Sequence, residues 1–249
     1  MKVLLIERKE GKRKILIDLE KVRDINTEFG ILKKEDLKKL KPGDRVKTHK
    51  GVEFSVVEPT FEDLLIFAKR GPQIITLKDA ATIVAYTNLR SGCKVVDAGT
   101  GSGILACFLA HVVRPNGLVY TYEKRKDFLK IARFNINLFE VGEWVKLKNK
   151  DIYKGIEEKN LDLITLDLPE PWKVLRYGRR ALKKGGYLVA FLPNMTQVIE
   201  FVKKVRKFED LKVEKTIEIT ERSWNIREKV ARPSFSFPPT TFITFVRRI

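Results

Sequence analysis

An α/β fold built on a mostly parallel sheet, with a small β-rich domain ahead of it, is what the 249-residue sequence predicts. Three observations carry that expectation. From Lys94 onward, apolar strands alternate with segments of helical apolar spacing; the first of those strands runs into the turn Asp97-Ala98-Gly99-Thr100-Gly101-Ser102-Gly103; and residues 1–58 carry strand pairs around tight turns. Repeated βα units bury a parallel sheet, because the crossovers between parallel strands lay helices over both faces.

Taken in order, VLLIER and KILIDL flank a Glu10-Gly11 turn, LKKEDLKKL reads as a short helix, and RVKTH and EFSVVEP flank Lys50-Gly51, which together make a domain over 1–58. A linking region follows over 59–90. In it TFEDLLIFAKR is a helix stopped by Gly71-Pro72, and a second helix starts near Lys78-Asp79 and runs DAATIVAYTNL. The main domain, 91–249, holds the strands KVVDAG, LVYTYE, VKLKNK, LDLITLDL and GGYLVAFLP, separated by helical segments near 102–113, 125–139, 152–158 and 171–183. After the helix TQVIEFVKKVRKF, the strands KVEKTIEITER and TTFITFVRRI close the sheet as an antiparallel pair, joined by a segment rich in Pro and Phe.

The apolar fraction of 43% is ordinary for a globular core. No stretch approaches the roughly 20 apolar residues that cross a bilayer, and the N-terminus turns charged after a few residues, so neither a membrane span nor a signal peptide is expected and the cytoplasm is the expected compartment. Cys93 and Cys107 stand without CxxC or Cys/His spacing, which predicts buried thiols and no metal site. The 50 Lys and Arg against 32 Asp and Glu leave a net charge of +18, pointing to a polyanionic partner or an anionic surface. Heat adaptation accounts for a high density of charge but not for its sign.

In an open α/β sheet, ligands bind beyond the carboxyl ends of the strands. Four such ends carry carboxylates: Asp97, Glu123, Asp151 and Asp167. After Asp97 the chain turns through Gly99, Gly101 and Gly103, where missing Cβ atoms admit a ligand to the backbone and to the amides of the next helix. Glu123 follows about 20 residues later, the place for a carboxylate that accepts from both ribose hydroxyls. Asp151 is placed to bond an adenine amino group. A dinucleotide enzyme shares the first two features, but G-x-G-x-G here replaces the G-x-G-x-x-G that cradles a pyrophosphate. That pattern favours S-adenosylmethionine over NAD.

Leu166-Asp167-Leu168-Pro169-Glu170-Pro171 ends the fourth strand, where a substrate enters beside the transferred methyl group. Two prolines stiffen this loop. Methyl transfer from a sulfonium to nitrogen is an in-line displacement that asks for alignment and electrostatics. If the acceptor is N1 of adenine, a carboxylate at Asp167 accepts from the exocyclic amino group and supports the growing positive charge; the alternative is that Asp167 caps the loop or meets the methionine ammonium.

These residues resemble the tRNA (adenine-N1)-methyltransferases of bacteria and archaea that act on the T-loop adenosine, position 58 in transfer-RNA numbering. The likeness spans nearly the whole chain: Lys69-Arg70-Gly71-Pro72-Gln73-Ile74-Ile75 ahead of Lys78-Asp79-Ala80, the DAGTGSG turn, Tyr122-Glu123, the LDLPEP loop, and Leu192-Pro193-Asn194 with Thr196-Gln197-Val198. The resemblance implies a class I (Rossmann-like) methyltransferase with a seven-stranded sheet, Asp167 as catalytic carboxylate, and a cofactor held by Ser102, Gly103, Ile104, Leu105, Glu123 and Asp151 with Gln73 near it. It also implies tRNA as substrate and a homotetramer. The chain departs from the family at Pro238-Pro239-Thr240-Thr241, where members often carry His-Thr, and at Thr76, where some have Tyr; both fall in the region that receives the target base.

N1 of a T-loop adenine is inaccessible until the loop opens, so the base has to be extracted and stacked. Trp172, Trp224, Phe235 and Phe237 are candidates, against the reading that they are ordinary core or interface aromatics. From Pro171 to Ile199 there are six Lys and Arg and no acid. Lys173, Arg176, Arg180 and Lys183 recur at helical spacing beside the Asp167 loop, a face for RNA phosphates. Two rival readings remain, a non-catalytic RNA-binding protein on the same fold and a methyltransferase for a protein or small molecule.

Overall fold

The computed structural model describes residues 1–9, 11, 13–71, 75–234 and 241–249. They form two compact units, Met1–Ala68 and Lys69–Ile249. The first contains β1 (Lys2–Glu7), β2 (Lys14–Asp18), β3 (Ile25–Thr27), β4 (Gly30–Leu32), α1 (Lys34–Leu37), β5 (Arg45–Lys47), β6 (Glu53–Val57) and α2 (Phe61–Phe67). Four strands make an antiparallel sheet in the order β2-β1-β6-β5. One face buries Val3, Leu5, Ile17, Val46, Phe54 and Val56 against Leu32, Leu37 and Leu40. The hairpin β3–β4 was not foreseen, since its strands are three residues each. A side chain closes it: the Thr27 hydroxyl donates to the Gly30 carbonyl at 2.7 Å and accepts the Phe29 N–H at 3.1 Å.

The sequence set 59–90 apart as a linking region, whereas α2 lies within the first unit. Thr60 and Asp63 form a reciprocal capping box at its start, and the Asp63 carboxylate also takes Lys14 Nζ of β2 at 2.5 Å.

The second unit runs α3 (Leu77–Thr87), β7 (Lys94–Ala98), α4 (Ile104–Val113), β8 (Leu118–Tyr122), α5 (Lys126–Leu138), β9 (Val145–Lys148), β10 (Leu161–Leu166), α6 (Leu175–Ala181), β11 (Leu182–Leu192), α7 (Met195–Val205), β12 (Leu211–Ile217), β13 (Trp224–Arg227), β14 (Val230–Pro233) and β15 (Phe242–Arg248). Its seven-stranded sheet has the order β12-β15-β11-β10-β7-β8-β9. All neighbours pair in parallel except β15, which is antiparallel to both β11 and β12. The expected closing pair is therefore present. Central strands read as apolar runs because both faces are covered: Val95, Val96, Leu163, Ile164, Leu166 and Leu188 through Leu192 are buried.

Two helical expectations change. The segment 152–158 makes only a 3₁₀ turn at Ile152–Lys154. Gly155 leaves helical dihedrals at φ +142, while Glu157 and Glu158 pair with Lys148 instead of extending a helix. The segment 171–183 is a 3₁₀ turn, Pro171–Val174, running into α6, and Leu182 already belongs to β11. A further hairpin, β13–β14, lies in the stretch read as a Pro- and Phe-rich connection. No helix among the described residues is long and apolar enough to cross a membrane.

The order of strands places one crevice. After β9 at one edge, the chain returns to β10 on the other side of β7, so successive crossovers cover opposite faces and the carboxyl ends of β7 and β10 open a gap between them.

Candidate active site

A cleft of about 510 Å³ lies at that gap. Five residues singled out in the sequence line it: Gly99, Gly101, Glu123, Asp151 and Asp167. Tyr122, Phe128, Tyr153, Leu168 and Pro169 add apolar and aromatic wall.

Glu123 is 7% exposed and held by main chain: one oxygen accepts the Gly101 N–H at 3.1 Å and the other the Arg125 N–H at 2.9 Å. Each carboxylate oxygen retains a lone pair, so a pair of vicinal hydroxyls fits the remaining capacity. A Cβ on Gly101 would meet only the Gly99 carbonyl, at 3.9 Å; a side chain there would fill the cleft itself. Asp151 caps the 3₁₀ turn with one oxygen, accepting the Tyr153 N–H at 3.0 Å, and leaves the other for a donor such as an amino group. These features fit a nucleoside-bearing methyl donor: hydroxyl acceptors, an amino acceptor and a turn without side chains.

Asp167 stands at the end of β10, its N–H donating to the Ala98 carbonyl at 2.9 Å. The contact between the two strand ends is close. A Cβ at Gly99, where φ is +92, would lie 2.1 Å from the Asp167 carbonyl oxygen, so only glycine lets β7 and β10 meet here. Asp167 is exposed and lines the cleft. Desolvation, reinforced by the charge of Asp97, pushes its carboxyl up to about 7.

Asp97 is 1% exposed and does not line the cleft. Its two oxygens accept the hydroxyls of Thr121 and Thr165, each at 2.8 Å, which ties β7 to β8 and β10. Burial raises its pKa even though both hydroxyls favour the charged form, and Glu123 adds to the rise. Ser102, Ile104 and Leu105 are buried and, with Gly103, lie outside the cleft lining, in the turn and first residues of α4. Gln73 falls outside the described residues, as do Phe235, Phe237 and Pro238 through Thr240. Thr76 is occupied at the start of α3, donating to Asp79 at 2.8 Å. Trp172 packs against the core, whereas Trp224 is 55% exposed on β13.

Two supports of the reacting loop carried no role in the sequence reading. The Tyr153 hydroxyl accepts the Glu170 N–H at 3.1 Å, and Gln197 Nε2 donates to the Pro169 carbonyl at 3.3 Å. Gln197 is itself fixed by Asn194, which caps α7 and accepts its N–H at 2.9 Å. The spacing Asn194-x-x-Gln197 was a legible cap signal; the reach of Tyr153 across two loops had none.

The basic face divides. Lys173 pairs with Glu170 and Lys183 with Asp162. Arg176 and Arg180 are exposed and have no acidic partner among the described residues.

The family model described as "tRNA methyltransferase complex GCD14 subunit" matches residues 54–235. A tRNA (adenine(58)-N(1))-methyltransferase of Thermus thermophilus is 39% identical over 221 residues, covering 88% of this chain and 86% of that protein. A tRNA (adenine(57)-N(1)/adenine(58)-N(1))-methyltransferase of Methanocaldococcus jannaschii is 36% identical over 261 residues, covering 94% and 89%. Among solved structures, one described as an S-adenosylmethionine-dependent O-methyltransferase of Thermotoga maritima superposes with a TM-score of 0.83 at 30% identity, over 100% of this chain and 92% of that one.

Proposed function

The chain belongs to the family of tRNA (adenine-N1)-methyltransferases acting on adenosine 58, and on that premise we propose how its residues divide the reaction. The enzyme methylates N1 of adenosine 58 in the tRNA T-loop and uses S-adenosylmethionine. The observation that carries the division of roles is the single cleft at the β7/β10 gap, with Glu123 and Asp151 on one side and Asp167 on the other.

When bound, S-adenosylmethionine supplies an electrophilic methyl group on a sulfonium. Glu123, preset by the amides of Gly101 and Arg125, receives the ribose hydroxyls, and Asp151 receives the adenine amino group through its uncommitted oxygen. Gly99 and Gly101 leave the backbone open, and Ser102, Gly103, Ile104 and Leu105 shape the turn and helix start behind it. Asp97 acts from beneath, holding the strand ends together and adding like charge to Asp167. Asp167 accepts from the exocyclic amino group of the target adenine, takes up the charge that grows on the ring, and with a pKa near neutrality is matched to receive a proton.

The active form of Asp167 is the carboxylate. Its pKa of about 7 therefore predicts that kcat/KM for tRNA rises with pH through about 7 and levels off above it. Initial rates from pH 5 to 9 check this, and a flat profile contradicts the role.

Arg176 and Arg180 are the RNA contacts we propose on the basic face. Changing both to alanine is expected to weaken tRNA binding several-fold at low salt and to flatten the slope of log affinity against log salt by about two. An unchanged slope removes α6 from the RNA path.

We propose that the enzyme is a homotetramer working in the cytoplasm, the compartment of its substrate. Support for assembly comes from β13–β14, which exposes Trp224, Ile226 (78% exposed) and Val230. Light scattering tests it: tetramers are expected, and dissociation on Ile226→Glu; a monomer at micromolar concentration refutes the proposal.

The decisive assay of the reaction uses unmodified tRNA and methyl-labelled S-adenosylmethionine, followed by digestion and nucleoside analysis. Label is expected in N1-methyladenosine at position 58. Label on an oxygen points to a methyltransferase for another substrate, and binding of RNA without label to a non-catalytic RNA-binding protein.

A further inference from the structure

Asn135 has no part in the roles above, yet it is 0% exposed and makes three hydrogen bonds in the interior. Its Oδ1 accepts the Lys69 N–H at 2.9 Å, and its Nδ2 donates to the carbonyls of Lys69 at 2.9 Å and Ser102 at 2.8 Å. The carboxamide thus pairs with Lys69 as a neighbouring strand would and spends its second N–H on the glycine turn. Only a carboxamide of this length offers one acceptor and two donors from one helical position.

The surroundings converge on the same turn. One helical turn earlier on α5, Ala132 packs against Gly103 so tightly that a Cβ on Gly103 would lie 3.0 Å from that of Ala132. Lys69 Nζ sits over the Phe134 ring at 4.3 Å, and a Cβ on Gly71 would lie 3.5 Å from Ser102. From the other side Glu123 accepts the N–H of Gly101. The backbone of Gly101-Ser102-Gly103 is therefore gripped between the cofactor carboxylate and α5.

We propose that Asn135 is a positioning residue of the S-adenosylmethionine site: by fastening Lys69 and the Ser102 carbonyl to α5, it sets the glycine turn at the height at which Glu123 and the turn receive the cofactor together. This rests on the cofactor reading of the cleft. It assigns to α5 a function in donor affinity that packing alone does not require.

The test uses the full-length protein with isothermal titration of S-adenosylmethionine, thermal unfolding without ligand, and kinetics at saturating tRNA. Asn135→Ala and Asn135→Asp are compared with the wild type; the aspartate keeps the acceptor but turns a carboxylate toward two carbonyls. Expected are a Kd and KM for S-adenosylmethionine raised at least tenfold in both variants, with kcat at saturating cofactor within about threefold of wild type. Asn135→Gln keeps the carboxamide but moves it one methylene further from α5; it is expected to raise the same Kd, and it carries the test if the other two variants do not fold. Lower unfolding temperatures with wild-type Kd and KM in these variants overturn the proposal and leave Asn135 a stability residue. If the wild type itself shows no binding of S-adenosylmethionine, the cofactor reading is what fails.

Discussion

Asp167→Ala is expected to lower kcat by about 10²- to 10⁴-fold, the range for a positioned acid or base, while the Kd for S-adenosylmethionine stays within a few-fold of wild type. The split follows from where the side chain sits. Asp167 shares the cleft with the residues assigned to the donor, but the hydroxyl and amino acceptors are Glu123 and Asp151, and neither bonds to Asp167. Single-turnover rates beside isothermal titration separate the two quantities, and full activity in the variant removes Asp167 from the mechanism. The same residue makes a stability prediction of known sign. Its folded-state pKa of about 7 lies above that of an unfolded aspartate, about 3.9, so the stability it contributes is present below the lower value and lost as pH rises through the higher one. Asp167→Asn, which never ionises, should therefore unfold at a higher temperature than wild type at pH 8, with the gap closing toward about pH 4.

Glu123→Ala is expected to raise the Kd for S-adenosylmethionine by about 10²-fold or more. Hydrogen bonds to a charged group are worth about 1.5–3 kcal/mol each, and two are assigned to the ligand. The loss extends beyond those bonds, because the N–H groups of Gly101 and Arg125 lose the acceptor that orients the turn. Glu123→Gln retains the shape but presents an amide NH₂ toward one of those N–H groups, so it should rescue little. Titration calorimetry of both variants decides this; wild-type affinity in Glu123→Ala would show that the ribose is held elsewhere.

The alternation of strand and helix after Lys94, the seven strands of the main sheet and the four carboxylates at strand ends were legible because they follow from period and position, which the sequence displays directly. What was not legible depended on side-chain pairings that no periodicity displays. Asp97 reads as one more strand-end carboxylate, and only pairing of β7 with β8 and β10 shows both its oxygens taken by Thr121 and Thr165. The helix expected over 152–158 had suitable apolar spacing, but Lys148, at the end of β9, pairs with Glu157 and Glu158 instead. The three-residue strands of β3 and β4 are too short for alternation to register, and their turn is closed by a hydroxyl whose partner is invisible to any periodicity. Asn135 carries no motif, and only the fold brings it to Lys69 and Ser102, 66 and 33 residues away in the chain.

The contact between Gly99 and Asp167 has a consequence for how this enzyme can change. With the main chain of Asp167 bonded to Ala98 and a glycine pressed against its carbonyl, the donor's cradle and the carboxylate facing the acceptor form one rigid casting with no hinge between them. New acceptors are therefore to be sought by rebuilding the chain beyond Leu168, which no main-chain hydrogen bond among the described residues ties to β7, while any substitution at position 99 disables every acceptor alike.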